Sequence, residues 1–180
     1  MFKEGAIYHI YNRAIGEENL FREERNYQYF LDKYYYHLES TVDTYAYCLL
    51  RNHFHLMVRV KGNLSSMAVS HKFSNFFNAY SKAFNKTYGR RGGLFQRPFK
   101  HKEVTNEKYF TELLLYIHLN PVKHGFVKDA HEWRYSSLCE YHLGGRIDNI
   151  LREEVLNWFG GIIEFENAHQ SKIITQSSFE

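Results

Sequence analysis

The 180-residue chain has only two cysteines, two prolines and no long apolar run. No stretch approaches the roughly 20 apolar residues that a helix needs to cross a bilayer, so we expect no membrane span. The first five residues lack the apolar core of a signal peptide. Cys48 and Cys139 are far apart in the chain, which favours free, buried thiols in a reducing cytoplasm. The length predicts one domain.

Acidic residues are absent from the middle of the chain, where no Asp or Glu occurs between residues 44 and 102. Eleven basic residues lie in this segment, whereas the remainder carries 12 basic and 20 acidic residues, so the net charge of +3 conceals a strongly basic region. A solvated basic surface is the simplest explanation. The lack of any acid over so long a segment instead favours binding of nucleic acid or another polyanion.

Hydrophobic periodicity predicts the element order β-α-β-β-α-β-α. The strands are expected at 6–14, 41–50, 53–61 and 99–104, and the helices at 23–40, about 65–86, 106–119 and 153–158. Asn63 or Ser65 could cap the second helix, Thr105 could cap the third, and Pro121 should end it. This order is typical of an α+β, ferredoxin-like sandwich, in which a central antiparallel sheet carries helices packed mainly on one face.

The second helix has an aromatic stripe, which we interpret as core packing and not as a platform for stacked bases: Phe73, Phe77, Tyr80 and Phe84. A glycine-rich loop follows at residues 89–93. Its two arginines, Arg90 and Arg91, are the first candidates for contacts with a phosphate backbone.

Two histidines flank one bulky apolar residue in the third predicted strand. Side chains two positions apart on a strand share a face, so His53 and His55 present two imidazoles side by side while Phe54 enters the core. A His-x-His pair alone is more often structural than metal-binding. It becomes half of a metal site if another part of the chain supplies a further ligand.

The helix predicted at 106–119 could supply that ligand. Tyr116 lies at the flank of its buried face, and Asn120 follows one turn later, so both can face the same spot. Two imidazoles and an amide oxygen would suit Mg²⁺ or Mn²⁺ acting on phosphate, although imidazole also suits Zn²⁺. A metal polarises a phosphodiester, and an activated tyrosine could then attack it to form a phosphotyrosine.

Plainer interpretations of these residues exist as well. A tyrosine at a helix flank ordinarily packs with its hydroxyl in water. His118 points away from Tyr116 and is expected to be solvated. Six further histidines have no paired spacing and receive no role: His9, His37, His71, His131, His142 and His169.

Several segments resemble blocks of one known family. Residues 46–58, with His53-Phe54-His55, resemble the HUH motif of single-tyrosine transposases, in which two histidines flank a hydrophobic residue. The other matching segments are 116–125, which resembles the segment carrying the catalytic tyrosine, together with 8–13, 93–100 and 133–137. In this order, over about residues 5–145, the chain is most similar to REP-associated tyrosine transposases, the domesticated branch of the superfamily.

The resemblance implies metal-dependent cleavage and rejoining of single-stranded DNA beside a hairpin. Tyr116 would attack the phosphorus, leaving a 5′-phosphotyrosine and a free 3′-OH. His53, His55 and Asn120 would bind Mg²⁺ or Mn²⁺. The candidates for DNA contacts are Arg13, Arg90, Arg91, Arg97, Lys100 and Lys123.

Residues 1–145 would form the transposase domain, and residues 146–180 a helical tail of the same domain that could cover the active site or support a dimer. Both a monomer acting in cis and a homodimer stay open. So do two other functions. One is a nucleic-acid-binding module of related fold without chemistry, and the other is an unrelated metallohydrolase that forms no covalent intermediate.

Overall fold

The computed structural model describes residues 1–62, 64–143 and 150–173. The strands are β1 (Ile7–Arg13), β2 (Val42–Leu50), β3 (His53–Val60) and β4 (Lys100–Val104). The helices are α1 (Glu24–Leu38), α2 (Ser66–Thr87), α3 (Glu107–Lys123), α4 (Leu138–Leu143), α5 (Arg152–Phe159) and α6 (Ile162–Ile173). The strands form one antiparallel sheet in the order β2-β3-β1-β4, which confirms the α+β class.

The helices cover both faces of this sheet, so the expectation of helices mainly on one face was wrong. Helices α1 and α2, which connect strands, pack against Phe54, Leu56 and Val58. Helix α3 and the helices after it pack against the opposite side, where Cys48 and Met57 are buried. Strands β2 and β3 are buried along nearly their whole length on both sides, and such strands need a cover on each face.

Two predicted helix features are confirmed on α2. The aromatic stripe is buried in the core between α1, α2 and the sheet. Ser65 caps the helix by accepting a hydrogen bond from the backbone N–H of Ala68 at 3.2 Å. The alternative cap, Asn63, lies outside the described residues.

Helix α3 differs from its prediction at both ends. Asn106 is the N-cap in place of Thr105, because its side chain accepts a hydrogen bond from the N–H of Tyr109. Pro121 lies inside the helix and does not end it. Only the last turn lies beyond this proline, and backbone hydrogen bonds from residues 124–126 back to residues 120–122 close that turn. Asn120 is therefore held within a helix and is fully buried.

The C-terminal helices are fastened to α3. Val155, Leu156 and Phe165 join the hydrophobic cluster that includes the buried side chains of α3. His118 is fully buried and hydrogen-bonded to His169 on α6, at 2.9 Å, so the expectation of a solvated His118 was wrong. Within the described part of the chain, no helix is both long enough and apolar enough to span a membrane.

Candidate active site

A cleft of about 200 Å³ opens beside the His-x-His strand. Its walls come from β1, from β3 and from the segment that leads into β4. The residues that line it are Tyr11, Asn12, Arg13, His53, Phe54, His55, Gln96 and Lys100. The sequence-predicted histidine pair thus lines a cavity together with two of the predicted DNA-binding cations.

Helix α3 lies across the two histidines. The ring centroids of Tyr116 and His55 are 5.4 Å apart, and the ring centroids of His124 and His53 are 5.0 Å apart. Tyr116, Asn120 and His124 follow one another at four-residue spacing, so they form one stripe along the helix. Asn120 therefore lies between the two points where this stripe contacts the histidines. The structure brings the predicted nucleophile and the predicted ligands together within one chain.

Two buried polar groups at this crossing have atoms without a hydrogen-bond partner among the described residues. They are Nε2 of His55 and both side-chain polar atoms of Asn120. Leaving such groups unsatisfied costs about 1–3 kcal/mol each, so they indicate room for a ligand. An imidazole nitrogen and an amide oxygen are suitable donors for a divalent cation. Histidine, cysteine and carboxylate side chains form no metal-binding group of three in the described ranges, so a three-ligand site here requires the Asn120 amide.

Each histidine of the pair is held through its Nδ1 atom. Nδ1 of His53 lies 2.7 Å from Oδ1 of Asn52, and Nδ1 of His55 lies 2.9 Å from Nε2 of His9. When Nδ1 donates to such a partner, the lone pair of the neutral ring is on Nε2, where a metal can use it. The two imidazoles are therefore arranged so that both Nε2 atoms can serve as ligands.

Burial keeps the central histidines neutral. It lowers the pKa of His55 well below its ordinary value, with further lowering from the nearby His9 and His53. Burial, with a smaller contribution from Lys102, also lowers the pKa of His9 to about 3. Metal ligation requires neutral imidazole, so at pH 7 the His55 ring need not release a proton first.

Three of the predicted cations surround this crossing. Arg13 and Lys100 are exposed and line the cleft. Nζ of Lys123 lies 4.9 Å from the ring centroid of Tyr116. The Tyr116 ring itself is only 5% exposed and is not part of the cleft wall, so it contacts the site through His55. Lys123 thus puts one positive charge beside the candidate nucleophile, and Arg13 and Lys100 put two more at the cleft.

The other predicted cations lie elsewhere. Arg97 lines a second groove, of about 620 Å³, between α2 and residues 92–99, and this groove shares Asn12 and Gln96 with the first cleft. Arg91 is exposed on the glycine-rich loop. Arg90 is half-buried and forms an ion pair with Glu18 at 2.8 Å. Their predicted DNA contacts stay predictions, and for Arg90 such a contact would compete with its ion pair.

Several residues of the site were not identified from the sequence. His9 received no role, although it contacts His55, and Tyr11, Gln96 and His124 were not singled out. His9 and Tyr11 alternate with core residues on β1, which places them on one face of the strand, but that pattern does not identify what they face. The strand register supplies the answer, because Tyr11 lies directly opposite His55.

Two curated proteins are similar in sequence to part of this chain. The chain is 32% identical over 102 residues to a Haemophilus influenzae protein named as a REP-associated tyrosine transposase, a match that covers 53% of this chain and 58% of that protein. It is also 32% identical over 65 residues to the REP-associated tyrosine transposase of Escherichia coli K12, covering 36% of this chain and 39% of the relative. The matches thus span little more than half of one curated relative and less of the other. No family model matches the chain.

A solved structure shares the fold. It is described as a REP-associated tyrosine transposase bound to a REP hairpin, and it superposes with a TM-score of 0.62 at 21% identity, covering 78% of this chain and 81% of that one. The fold and the site together define an α+β protein with a His-x-His strand crossed by a helix that carries tyrosine and asparagine. The resemblance to REP-associated tyrosine transposases, expected from the sequence, is confirmed by these relatives.

Proposed function

We propose that the protein is a single-stranded DNA endonuclease and strand transferase that depends on Mg²⁺ or Mn²⁺ and acts beside DNA hairpins through a 5′-phosphotyrosine. One observation carries the proposal: Tyr116 contacts His55 at the point where the unsatisfied Asn120 amide is buried. A tyrosine next to two imidazoles and an unpaired amide is a poor arrangement for a core and a suitable one for phosphoryl transfer.

In the proposed reaction the Tyr116 hydroxyl gives its proton to solvent water, and its oxygen attacks the phosphorus of the scissile phosphodiester. A bond forms between the tyrosine oxygen and phosphorus, the bond from phosphorus to the 3′ oxygen breaks, and the 3′ oxygen takes up a proton. A divalent ion held by His53, His55 and Asn120 would supply Lewis-acid polarisation of the phosphate. Attack of a 3′-OH on the phosphotyrosine reverses these bond changes and rejoins a strand.

The cations around the site would bind the DNA. Arg13 and Lys100 line the cleft and can neutralise phosphates on either side of the scissile bond. Lys123, next to the Tyr116 ring, is placed to stabilise the phenolate and the phosphate charge. The relative described as bound to a hairpin supports a hairpin-bearing single strand as the substrate class. Because Tyr116 and His55 are in contact within one chain, we favour a monomer acting in cis.

The test is covalent trapping. Wild-type protein and the Tyr116→Phe variant are incubated with Mn²⁺ and hairpin-bearing single strands from the protein's own genome neighbourhood. Adducts are then scored on denaturing gels and located by peptide mass spectrometry. We expect a DNA-linked band that maps to Tyr116 in the wild type and no band in the variant. Tyr36→Phe, at an exposed tyrosine that does not line the cleft, provides the control and should leave the band unchanged.

Different results would favour the other functions. A covalent adduct that persists in Tyr116→Phe would contradict the assignment of the nucleophile. Tight hairpin binding without any cleavage by the wild type would favour a non-catalytic binding module. Cleavage without a protein-linked product would favour a metallohydrolase.

A further inference from the structure

His9 makes a hydrogen bond to His55 that the proposed reaction does not yet use. The two residues lie on the neighbouring strands β1 and β3, and both side chains are almost fully buried. Their rings stack with centroids 5.1 Å apart and an interplanar angle of 23°, and Nε2 of His9 lies 2.9 Å from Nδ1 of His55. The His9 ring also stacks on Tyr11, with centroids 4.5 Å apart. His9 is thus fixed in place by packing.

The direction of this hydrogen bond decides whether His55 can bind a metal. A neutral imidazole carries one proton, so His55 can offer its Nε2 lone pair only when Nδ1 is protonated. Nδ1 must then donate to His9, which requires a lone pair on Nε2 of His9 and its proton on Nδ1. The reverse direction would put the His55 proton on Nε2 and block ligation. Asn52 performs the corresponding task for His53 through its amide oxygen.

We infer that His9 is a positioning residue that fixes the orientation and tautomer of His55, so that Nε2 of His55 is available as a ligand. The inference rests on the proposed function of His53, His55 and Asn120 as a metal site. Partners of this kind typically change metal affinity by about 10–100-fold when they are removed.

Three variants of His9 distinguish the effect of losing its hydrogen bond from the effect of changing its packing. His9→Phe keeps an aromatic ring against Tyr11 but removes the acceptor, and His9→Leu is a second apolar variant should phenylalanine not fit. His9→Gln can place an amide oxygen near the position of Nε2 and should restore much of the function. His101→Leu is the matched control, because His101 lies on the adjacent strand β4 and stacks on Phe2, on the opposite side of the sheet.

The first readout is the tautomer of His55 in the metal-free, full-length protein, observed by long-range ¹H–¹⁵N NMR. We expect protonation at Nδ1 in the wild type and in His9→Gln, and a mixture of tautomers in His9→Phe. The second readout is Mn²⁺ affinity, measured from the EPR signal of the free ion. We expect binding to weaken about 10–100-fold in His9→Phe and His9→Leu, by only a few-fold in His9→Gln, and not at all in His101→Leu.

Two outcomes would overturn the inference while leaving the metal site intact. In the first outcome, His55 of the metal-free wild type is protonated at Nε2. In the second, His9→Phe and His9→Leu bind Mn²⁺ as tightly as the wild type. In both, the His55→Ala variant must lose Mn²⁺ binding, which shows that the metal site itself is present. If the wild type binds no Mn²⁺ at all, the proposed function fails, and the inference fails with it.

Discussion

Helix α3 carries buried polar side chains of two different kinds on its two sides. On one side both polar atoms of Asn120 lack partners among the described residues. On the other side both ring nitrogens of His118 are hydrogen-bonded, Nδ1 to His169 at 2.9 Å and Nε2 to Ser137 at 2.8 Å. Asn120 and His118 are equally buried and only two positions apart, but only the polar atoms of His118 have hydrogen-bond partners among the described residues. The hydrogen-bonded His118 holds α6 against α3, whereas the unpaired Asn120 amide indicates a place for a ligand.

The largest difference between the two sides should appear in metal binding. Asn120→Leu keeps the volume but removes the amide oxygen, so we expect Mn²⁺ affinity to fall by at least the roughly 10–100-fold that is typical of losing a partner outside the ligand shell. His118→Leu alters the other side of the same helix and should bind Mn²⁺ within a few-fold of the wild type. Isothermal titration of each folded variant with Mn²⁺ measures this. Equal losses in both variants would show that the two sides are not functionally distinct.

Buried histidines on both sides of α3 should make stability depend on pH, and substitution of His118 isolates the contribution of the satisfied side. Burial, followed by the nearby His169 and His131, lowers the pKa of His118 well below its ordinary value of 6.5. Below pH 6.5 the unfolded chain therefore takes up a proton that the folded chain does not. As the pH is lowered below 6.5, the free energy of unfolding should therefore decrease, by up to about 1.4 kcal/mol per pH unit for each such histidine.

Urea unfolding in EDTA at pH 7.5, 6.5 and 5.5 tests this dependence. The His118→Leu variant should show a shallower decrease than the wild type, because it has lost one such group. An identical pH dependence in both proteins would mean that His118 takes up its proton in the folded state.

The smallest expected effect concerns the cations of the cleft. The double substitution Arg13→Ala and Lys100→Ala should weaken binding of a hairpin-bearing strand several-fold. It should also reduce the slope of log affinity against log salt by roughly 1.5, because each neutralised phosphate contributes about 0.7–0.9. Lys61→Ala is a suitable control, since Lys61 is paired with Asp43 at 3.0 Å. An unchanged slope in the double variant would remove both residues from the DNA interface.

Local patterns were sufficient to predict the parts of the site that lie within single elements. The two-residue repeat of a strand put His53 and His55 on one face, and the four-residue spacing on a helix put Tyr116 and Asn120 on one stripe. The order of strands and helices along the chain and most element bounds also followed from periodicity.

What could not be predicted depends on pairing between distant segments. His9 meets His55 only through the register of β1 on β3, 46 positions away in the chain. His118 is buried because α6 packs against it, and no local sequence pattern predicts that contact. The helices on the second face of the sheet could have been anticipated, because the continuous apolar character of β2 and β3 already required a cover on both sides.

The most direct test of the central claim is the free energy of unfolding of Asn120→Leu and His118→Leu, measured by urea denaturation in EDTA. If the Asn120 amide exists to bind a ligand, its replacement in the metal-free protein should leave stability unchanged or raise it by about 1 kcal/mol, since an unsatisfied polar group is removed. His118→Leu should lower stability by about 2 kcal/mol or more, because it removes the two buried hydrogen bonds that His118 makes with His169 and Ser137. A loss of that size in Asn120→Leu would contradict the account, because it would make Asn120 a structural residue like His118.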